Sequence, residues 1–208
     1  MLLSALATIL VLLSAATADP LTWDEGPQTL RIGPKDVDFF GWKWGLLRNQ
    51  TINASRGKLW IRRRTSIVCD PENKSSCSQK TENATLIHVW RTNTLTLDVS
   101  GQEQKIYIDP KGAARYTRPK FNEIPEGSIT TGWYEKWSTY RGFEFLHEKG
   151  GNWIACAAKK GKGPYQVFFE LDKIKDENTP SKSRKDCIVI ELSGIPWRGE
   201  LPGAWQYS

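Results

Sequence analysis

The chain has 208 residues, a formal net charge of +6 and 39% hydrophobic residues, which excludes a disordered protein and predicts one or two globular domains. It contains only two histidines, His88 and His147, which excludes a histidine-rich metal centre, and no cofactor or metal site is predicted. Ten tryptophans are several times the usual number for this length, so aromatic rings dominate either the core or a binding surface.

Residues 1–18 have the features of a secretory signal peptide. They carry no charged side chain, are rich in Leu and Ala, and end in Ala16-Thr17-Ala18, a small-x-small cleavage sequence. The apolar stretch is shorter than the ~20 residues that a membrane-spanning helix needs. The sequence therefore predicts an extracellular protein without a transmembrane segment.

Four N-glycosylation sequences agree with export. Asparagine is followed by x-Ser or x-Thr, without an intervening proline, at Asn49, Asn53, Asn73 and Asn83. Such sequences also arise by chance and stay unused. Their crowding predicts one exposed flank that carries sugar.

The rest of the chain divides into residues 19–57, predicted to be an extended, Trp-rich N-terminal arm, and residues 58–208, predicted to be one β domain. Short runs of β-branched and aromatic residues, each bounded by Gly, Pro, Asn or Asp, indicate its strands. The runs are residues 58–61, 65–69, 85–90, 94–99, 104–108, 129–134, 142–146, 153–157, 165–171 and 187–192. Apolar residues alternate in several of them, which favours a single antiparallel β-barrel or β-sandwich.

Four cysteines in an exported chain predict two disulfides, for which three pairings are possible. Cys69 and Cys77 enclose a short polar stretch, so one bond between them closes a small loop. Cys156 ends an apolar strand and Cys187 begins another. We therefore prefer the pairs Cys69–Cys77 and Cys156–Cys187.

Two groups of side chains are candidates for ligand binding. Trp133, Tyr134 and Trp137 cluster beside a glycine, outside any long apolar run, and exposed rings there would stack on sugar faces; a core position is an equally open interpretation. Trp90 and Trp153, within apolar runs, are predicted to lie in the core.

The second group of candidates is basic. It consists of Lys159, Lys160 and Lys162, which would contact an anionic extracellular polymer or form a solvated loop. Nucleic acid is not an expected partner, because an exported protein meets little of it.

The sequence contains few residue patterns that could form a catalytic site. The spacing of the acidic residues selects no pair of carboxylates of the kind that a glycosidase uses. His88, inside an apolar run, is expected to be packed or hydrogen-bonded within the sheet. His147, beside Glu148, is the better candidate for a ribonuclease-like hydrolase. We predict that the protein is not an enzyme and retain a hydrolase as an alternative.

Several segments in the second half of the chain match the order of motifs in one family. They are residues 106–113 (IYIDPKGA), 116–117 (YT), 125–128 (PEGS), 153–156 (WIAC), 163–168 (GPYQVF) and 186–190 (DCIVI). In these segments the chain resembles the PhiA-like secreted cell-wall proteins of filamentous fungi. The resemblance implies a non-enzymatic protein of the fungal cell wall, linked to wall or spore-structure development and binding wall polysaccharide. Related secreted fungal proteins include effectors, so binding to a host protein or other host macromolecule is the alternative.

Overall fold

A computed structural model describes residues 27–32, 47, 49–69, 72, 85–118, 123–138, 142–198 and 204–208. Fifteen β-strands and two short 3-10 turns lie in these ranges. The strands are β1 (Gln28–Ile32), β2 (Ile52–Ser55), β3 (Lys58–Ile61), β4 (Ile67–Val68), β5 (Leu86–Val89), β6 (Leu95–Leu97), β7 (Gln104–Ile108), β8 (Ala114–Tyr116), β9 (Trp133–Ser138), β10 (Gly142–His147), β11 (Asn152–Lys159), β12 (Lys162–Glu170), β13 (Cys187–Ile190), β14 (Leu192–Pro196) and β15 (Gln206–Tyr207). The turns are Asp176–Asn178 and Arg184–Asp186. The prediction of an all-β class is confirmed.

Every strand pair is antiparallel, and thirteen strands belong to one sheet. Their order is β13-β11-β12-β3-β8-β7-β6-β5-β1-β14-β10-β9, with β2 paired to β3 beside this path. The remaining two strands, β4 and β15, form a separate small sheet. Because β13 and β9 end the path without pairing to each other in the described part of the chain, the antiparallel sheet is confirmed and a closed barrel is not.

Alternate residues of the strands face one core. In β12, Tyr165, Val167 and Phe169 belong to the main buried cluster, whereas Phe168 points to the opposite face. The indole nitrogen of Trp153 on β11 donates a hydrogen bond to the backbone carbonyl of Phe145 on β10 (3.1 Å), so the sheet folds over and brings these strands together. Burial of each such large side chain contributes about 1.5–3 kcal/mol, which makes this core the main source of stability.

The described part of the predicted arm lies in the sheet. Strand β1 pairs with β14 over its whole length and with β5 at its start. Strand β2 forms a hairpin with β3, and the predicted boundary after Gly57 falls inside the turn of that hairpin. These strands differ from an extended arm because their partners, far along the chain in the case of β1, supply the hydrogen bonds that the local sequence does not reveal.

The disulfide between Cys156 and Cys187 is present and confirms that prediction. It joins β11 to β13 at residues that are paired directly across the two strands. Cys77 lies outside the described residues, so the bond Cys69–Cys77 stays a prediction. The predicted signal peptide, residues 1–18, also lies outside them.

One of the predicted glycosylation sites is enclosed by the fold. Asn53 on β2 is only 5% exposed, and its side-chain amide nitrogen donates a hydrogen bond to the backbone carbonyl of Arg63 (2.7 Å). A glycan would have to be attached to that nitrogen, which corrects the prediction for Asn53. Asn49 is exposed and stays a predicted site, and Asn73 and Asn83 lie outside the described residues.

The segment 171–186 covers part of the outer face of β11 and β12. A second buried cluster lies beneath it and consists of Ala113, Ile154, Cys156, Phe168 and Ile174. Arg184 fixes the segment through two hydrogen bonds to the carboxylate of Glu170, from Nε to Oε1 (2.9 Å) and from Nη2 to Oε2 (2.7 Å). Such paired, charge-assisted hydrogen bonds are stronger than neutral ones.

This ion pair predicts a pH-dependent stability difference. The hydrogen bonds from Arg184 lower the pKa of Glu170 below its usual 4.5. The carboxylate therefore stabilises the folded state fully above pH 4.5, and this contribution is lost as the pH falls through the lowered pKa. We expect Glu170→Gln to reduce the free energy of unfolding by about 1–2 kcal/mol at pH 7, and the difference to shrink below pH 4.

Denaturant unfolding of the parent and of Glu170→Gln from pH 7 to pH 3 measures this difference. Glu177→Gln, an exposed site in the same segment, is the control, and an equal effect there contradicts the prediction.

Candidate functional site

Trp133, predicted to be a ligand contact, is buried in the core. Its side chain is 0% exposed, and its ring lies 5.1 Å from Trp153, 5.0 Å from Phe169 and 4.7 Å from His147 between ring centroids. The prediction for Trp133 is corrected, because it is the first residue of β9 and its inward-facing position meets the aromatic side chains of β11 and β12. Trp153 is in the core, as predicted.

The other two aromatic candidates are accessible to solvent. Tyr134 is 41% exposed and Trp137 is 58% exposed. Both lie on β9, which is an end strand of the large sheet. Their role as ligand contacts stays a prediction that their exposure permits.

The predicted basic group lies elsewhere. Lys159, Lys160 and Lys162 are exposed at the turn between β11 and β12. Tyr134 pairs with Leu146 close to the turn that joins β10 to the other end of β11. Because a strand rises about 3.3 Å per residue, the length of β11 separates the lysines from that end by roughly 20 Å. The aromatic and basic candidates therefore do not form one site.

Trp90 is an exposed ring that the sequence had placed in the core. Its side chain is 50% exposed, which corrects that prediction. The indole nitrogen donates a hydrogen bond to the hydroxyl of Thr96 (2.7 Å), and the ring stacks on His88 with centroids 5.7 Å apart and an angle of 27° between the planes. His88 Nε2 in turn lies 2.9 Å from a carboxylate oxygen of Asp98, as expected for a histidine hydrogen-bonded in the sheet. We call Trp90, His88, Thr96 and Asp98 the Trp90 cluster.

A signal for this position was present in the sequence. Ile87 belongs to the core cluster and Val89 packs against it, so His88 and Trp90 have the opposite parity. The polar His88 marks the outward-facing set, and Trp90 shares its parity. The apolar character of residues 86–90 as a whole concealed this alternation.

One backbone hydrogen bond links the turn after Trp90 to strand β9, which carries Tyr134. The turn after Trp90 carries Asn93, whose backbone carbonyl accepts a hydrogen bond from the backbone nitrogen of Trp133 (3.2 Å). Tyr134 is the next residue and faces away from the core. Trp90 and Tyr134, which are both partly exposed, therefore belong to two segments that this backbone hydrogen bond joins.

The arrangement around His147 is unsuited to catalysis. His147 is buried, its Nδ1 accepts a hydrogen bond from the backbone nitrogen of Lys149 (3.2 Å), and its Nε2 lies 3.0 Å from the carbonyl oxygen of Thr131. This pattern assigns the proton to Nε2 and occupies both ring nitrogens with backbone groups. The nearest inward-facing carboxyl on β9 is Glu135, whose pKa is raised by burial and lowered less by a hydrogen bond with Gln28. Neither nitrogen of His147 can reach a substrate, so a hydrolase centred on it is not supported.

Within the described ranges, no group of three or more His, Cys, Asp or Glu side chains could hold a metal ion. No helix in the same ranges is long and apolar enough to cross a membrane.

Comparisons with known proteins agree with the prediction that this protein is secreted. Residues 46–208 match the family described as "PhiA-like secreted protein". An "Uncharacterized secreted protein" of Arthroderma benhamiae is 30% identical over 131 residues, which cover 61% of this chain and 62% of that protein. The match thus spans about three fifths of the length of this curated relative. No solved structure matches the chain.

Proposed function

Because the chain belongs to the PhiA-like secreted protein family, we propose that this secreted fungal protein binds cell-wall polysaccharide through the Trp90 cluster and Tyr134. It acts as a wall-associated binding protein without enzymatic activity. Extracellular wall polymer is the partner.

The observation that carries this proposal is the fixed orientation of an exposed indole. Half of the Trp90 side chain is open to solvent, while its nitrogen is held by Thr96 and one face rests on His88. A large apolar ring that is exposed and already oriented loses little conformational entropy when a ligand binds. Its free face offers a flat, apolar surface, which suits the apolar face of a sugar ring. Tyr134, which is also partly exposed, is the second aromatic side chain of the proposed site.

Binding of this kind has a characteristic dependence on salt. Aromatic stacking on an uncharged sugar is little affected by ionic strength, whereas contacts between lysines and an anionic chain weaken as salt screens them. A neutral wall polymer such as β-glucan or chitin is therefore the ligand class that the Trp90 cluster supports. The contribution of Lys159, Lys160 and Lys162 to binding an anionic polymer is a separate proposal that high salt would abolish.

The test is co-sedimentation of the purified protein with insoluble β-glucan and with chitin at moderate and high salt. We expect Trp90→Ala to weaken binding about thirtyfold, the effect of losing one binding hot spot, at both salt concentrations. This proposal leaves Trp137 out of the site, in place of the sequence-based prediction for that residue. Trp137→Ala is therefore the matched control, since it removes another exposed indole and is expected to change affinity less than threefold.

Two outcomes contradict the proposal. If Trp90→Ala sediments like the parent while remaining folded, the Trp90 cluster is not the site. If the parent protein stays in the supernatant with every wall polymer, wall binding itself is wrong, and an effector that binds a host macromolecule becomes the better hypothesis.

A further inference from the structure

A basic pocket lies where segment 171–186 crosses the outer face of β12. It is open to solvent and has a volume of about 440 Å³. Its lining residues are Lys173, Ile174, Lys175, Asp176, Arg184 and Lys185. Four of these side chains are cationic and one is anionic, so the pocket attracts anions.

The walls of the basic pocket are held in place by the carboxylates that line or flank it. Glu170 accepts both hydrogen bonds from the Arg184 guanidinium and a third from the backbone nitrogen of Ile174 (3.0 Å). The carboxylate of Asp176 accepts a hydrogen bond from the backbone nitrogen of Arg184 (2.5 Å). Both carboxylates therefore hold Arg184 and the backbone of the segment in place.

The floor of the basic pocket is rigid as well. Ile174 is buried in the second cluster and packs against Gly112, which has a φ of +85° and where an added Cβ would lie 2.8 Å from Ile174 Cδ1. The disulfide at Cys187 ties the end of the segment to β11. A preformed pocket of this kind does not have to order a loop when a ligand enters.

Three lysines remain to bind a ligand. Lys173, Lys175 and Lys185 are exposed, and none of them forms an ion pair with another described residue. The guanidinium fork, which suits planar carboxylates, is already occupied by Glu170. Lysine ammonium groups act as point charges that surround a tetrahedral oxyanion from several directions.

We propose that the basic pocket binds a phosphate group, with Lys173, Lys175 and Lys185 as its ligands. The group is either inorganic phosphate or a phosphate ester on a saccharide. This inference does not rest on the Trp90 cluster, which lies on other strands, and each can fail without the other.

The experiment is calorimetric titration of the purified protein with inorganic phosphate at constant ionic strength, with acetate as the planar anion for comparison. We expect saturable binding of phosphate and at least tenfold weaker binding of acetate. Lys173→Gln, Lys175→Gln and Lys185→Gln together should weaken phosphate binding by at least about tenfold, because charge-assisted hydrogen bonds are lost. The matched control replaces Lys105, Lys136 and Lys149 with Gln, removes the same charge from exposed positions outside the pocket, and should change affinity less than twofold.

Equal losses in the two triple variants would overturn the proposal, since binding would then follow net charge alone. Absence of saturable phosphate binding, or equal binding of acetate, would overturn it as well. The mutated lysines are exposed, so both variants should keep the thermal midpoint of the parent, which is recorded alongside. Mannose 6-phosphate then distinguishes the two sources: tighter binding than inorganic phosphate supports a phosphorylated saccharide, equal binding supports the free ion, and both outcomes support the pocket.

Discussion

Trp133→Ala is expected to lower the free energy of unfolding by about 3–5 kcal/mol, the usual cost of removing a large aromatic side chain from a core. The ring is fully buried among Trp153, Phe169 and His147, so its loss leaves a cavity that these three rings cannot fill without moving. Denaturant unfolding followed by circular dichroism measures the difference.

Two further variants make this prediction specific. Trp137→Ala removes the same side chain from an exposed position of the same strand and should cost less than about 1 kcal/mol. Trp133→Phe keeps most of the ring packing and removes an indole nitrogen that has no hydrogen-bond partner among the described residues, so it should be much less harmful than alanine. Similar costs for Trp133→Ala and Trp137→Ala would show that Trp133 is not a core residue.

Removal of the Cys156–Cys187 bond is the second large effect that we expect. The bond closes a loop of 31 residues in sequence, and the entropy of that loop in the unfolded chain corresponds to about 3.5 kcal/mol. Cys156→Ala with Cys187→Ala should therefore unfold at a markedly lower denaturant concentration than the parent. Because Cys156 is itself buried in the second cluster, Cys156→Val with Cys187→Ala tests whether lost packing adds to the effect.

The predicted bond between Cys69 and Cys77 provides the comparison. These residues are eight positions apart, so their loop is much shorter and its removal should cost about 1 kcal/mol less. Peptide mapping without reduction identifies both bonds. A larger loss of stability from Cys69→Ala with Cys77→Ala would contradict the loop-length account.

Local sequence patterns predicted the strands whose residues alternate and whose turns contain Gly, Pro, Asn or Asp. Strands β3 and β7 begin and end where the sequence indicated. Strands β1, β2, β8, β14 and β15 are not predicted by the sequence, because they are short or depend on a distant segment for their hydrogen bonds. The pairing of β1 with β14, near the other end of the chain, is an example of a contact that no local pattern encodes.

The binding surface was harder to predict than the fold. Trp133 and Trp137 belong to one strand and have the same parity, yet one is buried and the other is exposed. The difference depends on which strands cover each position, and single-sequence patterns do not contain that information. For Trp90, its shared parity with His88 indicated an exposed position. The apolar character of residues 86–90 nevertheless led to the prediction of a core position.

A contact between a neutral polysaccharide and the Trp90 indole is the basis of the proposed function. Its most direct test is nuclear magnetic resonance of ¹⁵N-labelled protein titrated with a soluble β-glucan oligosaccharide, observing the indole N–H signals of the ten tryptophans. Trp90→Phe assigns the signal in question. We predict a saturable shift of the Trp90 indole and of the Tyr134 amide, while the buried indoles of Trp133 and Trp153 stay in place. A saturable shift confined to Trp137 or to other indoles, with Trp90 unchanged, would contradict the account.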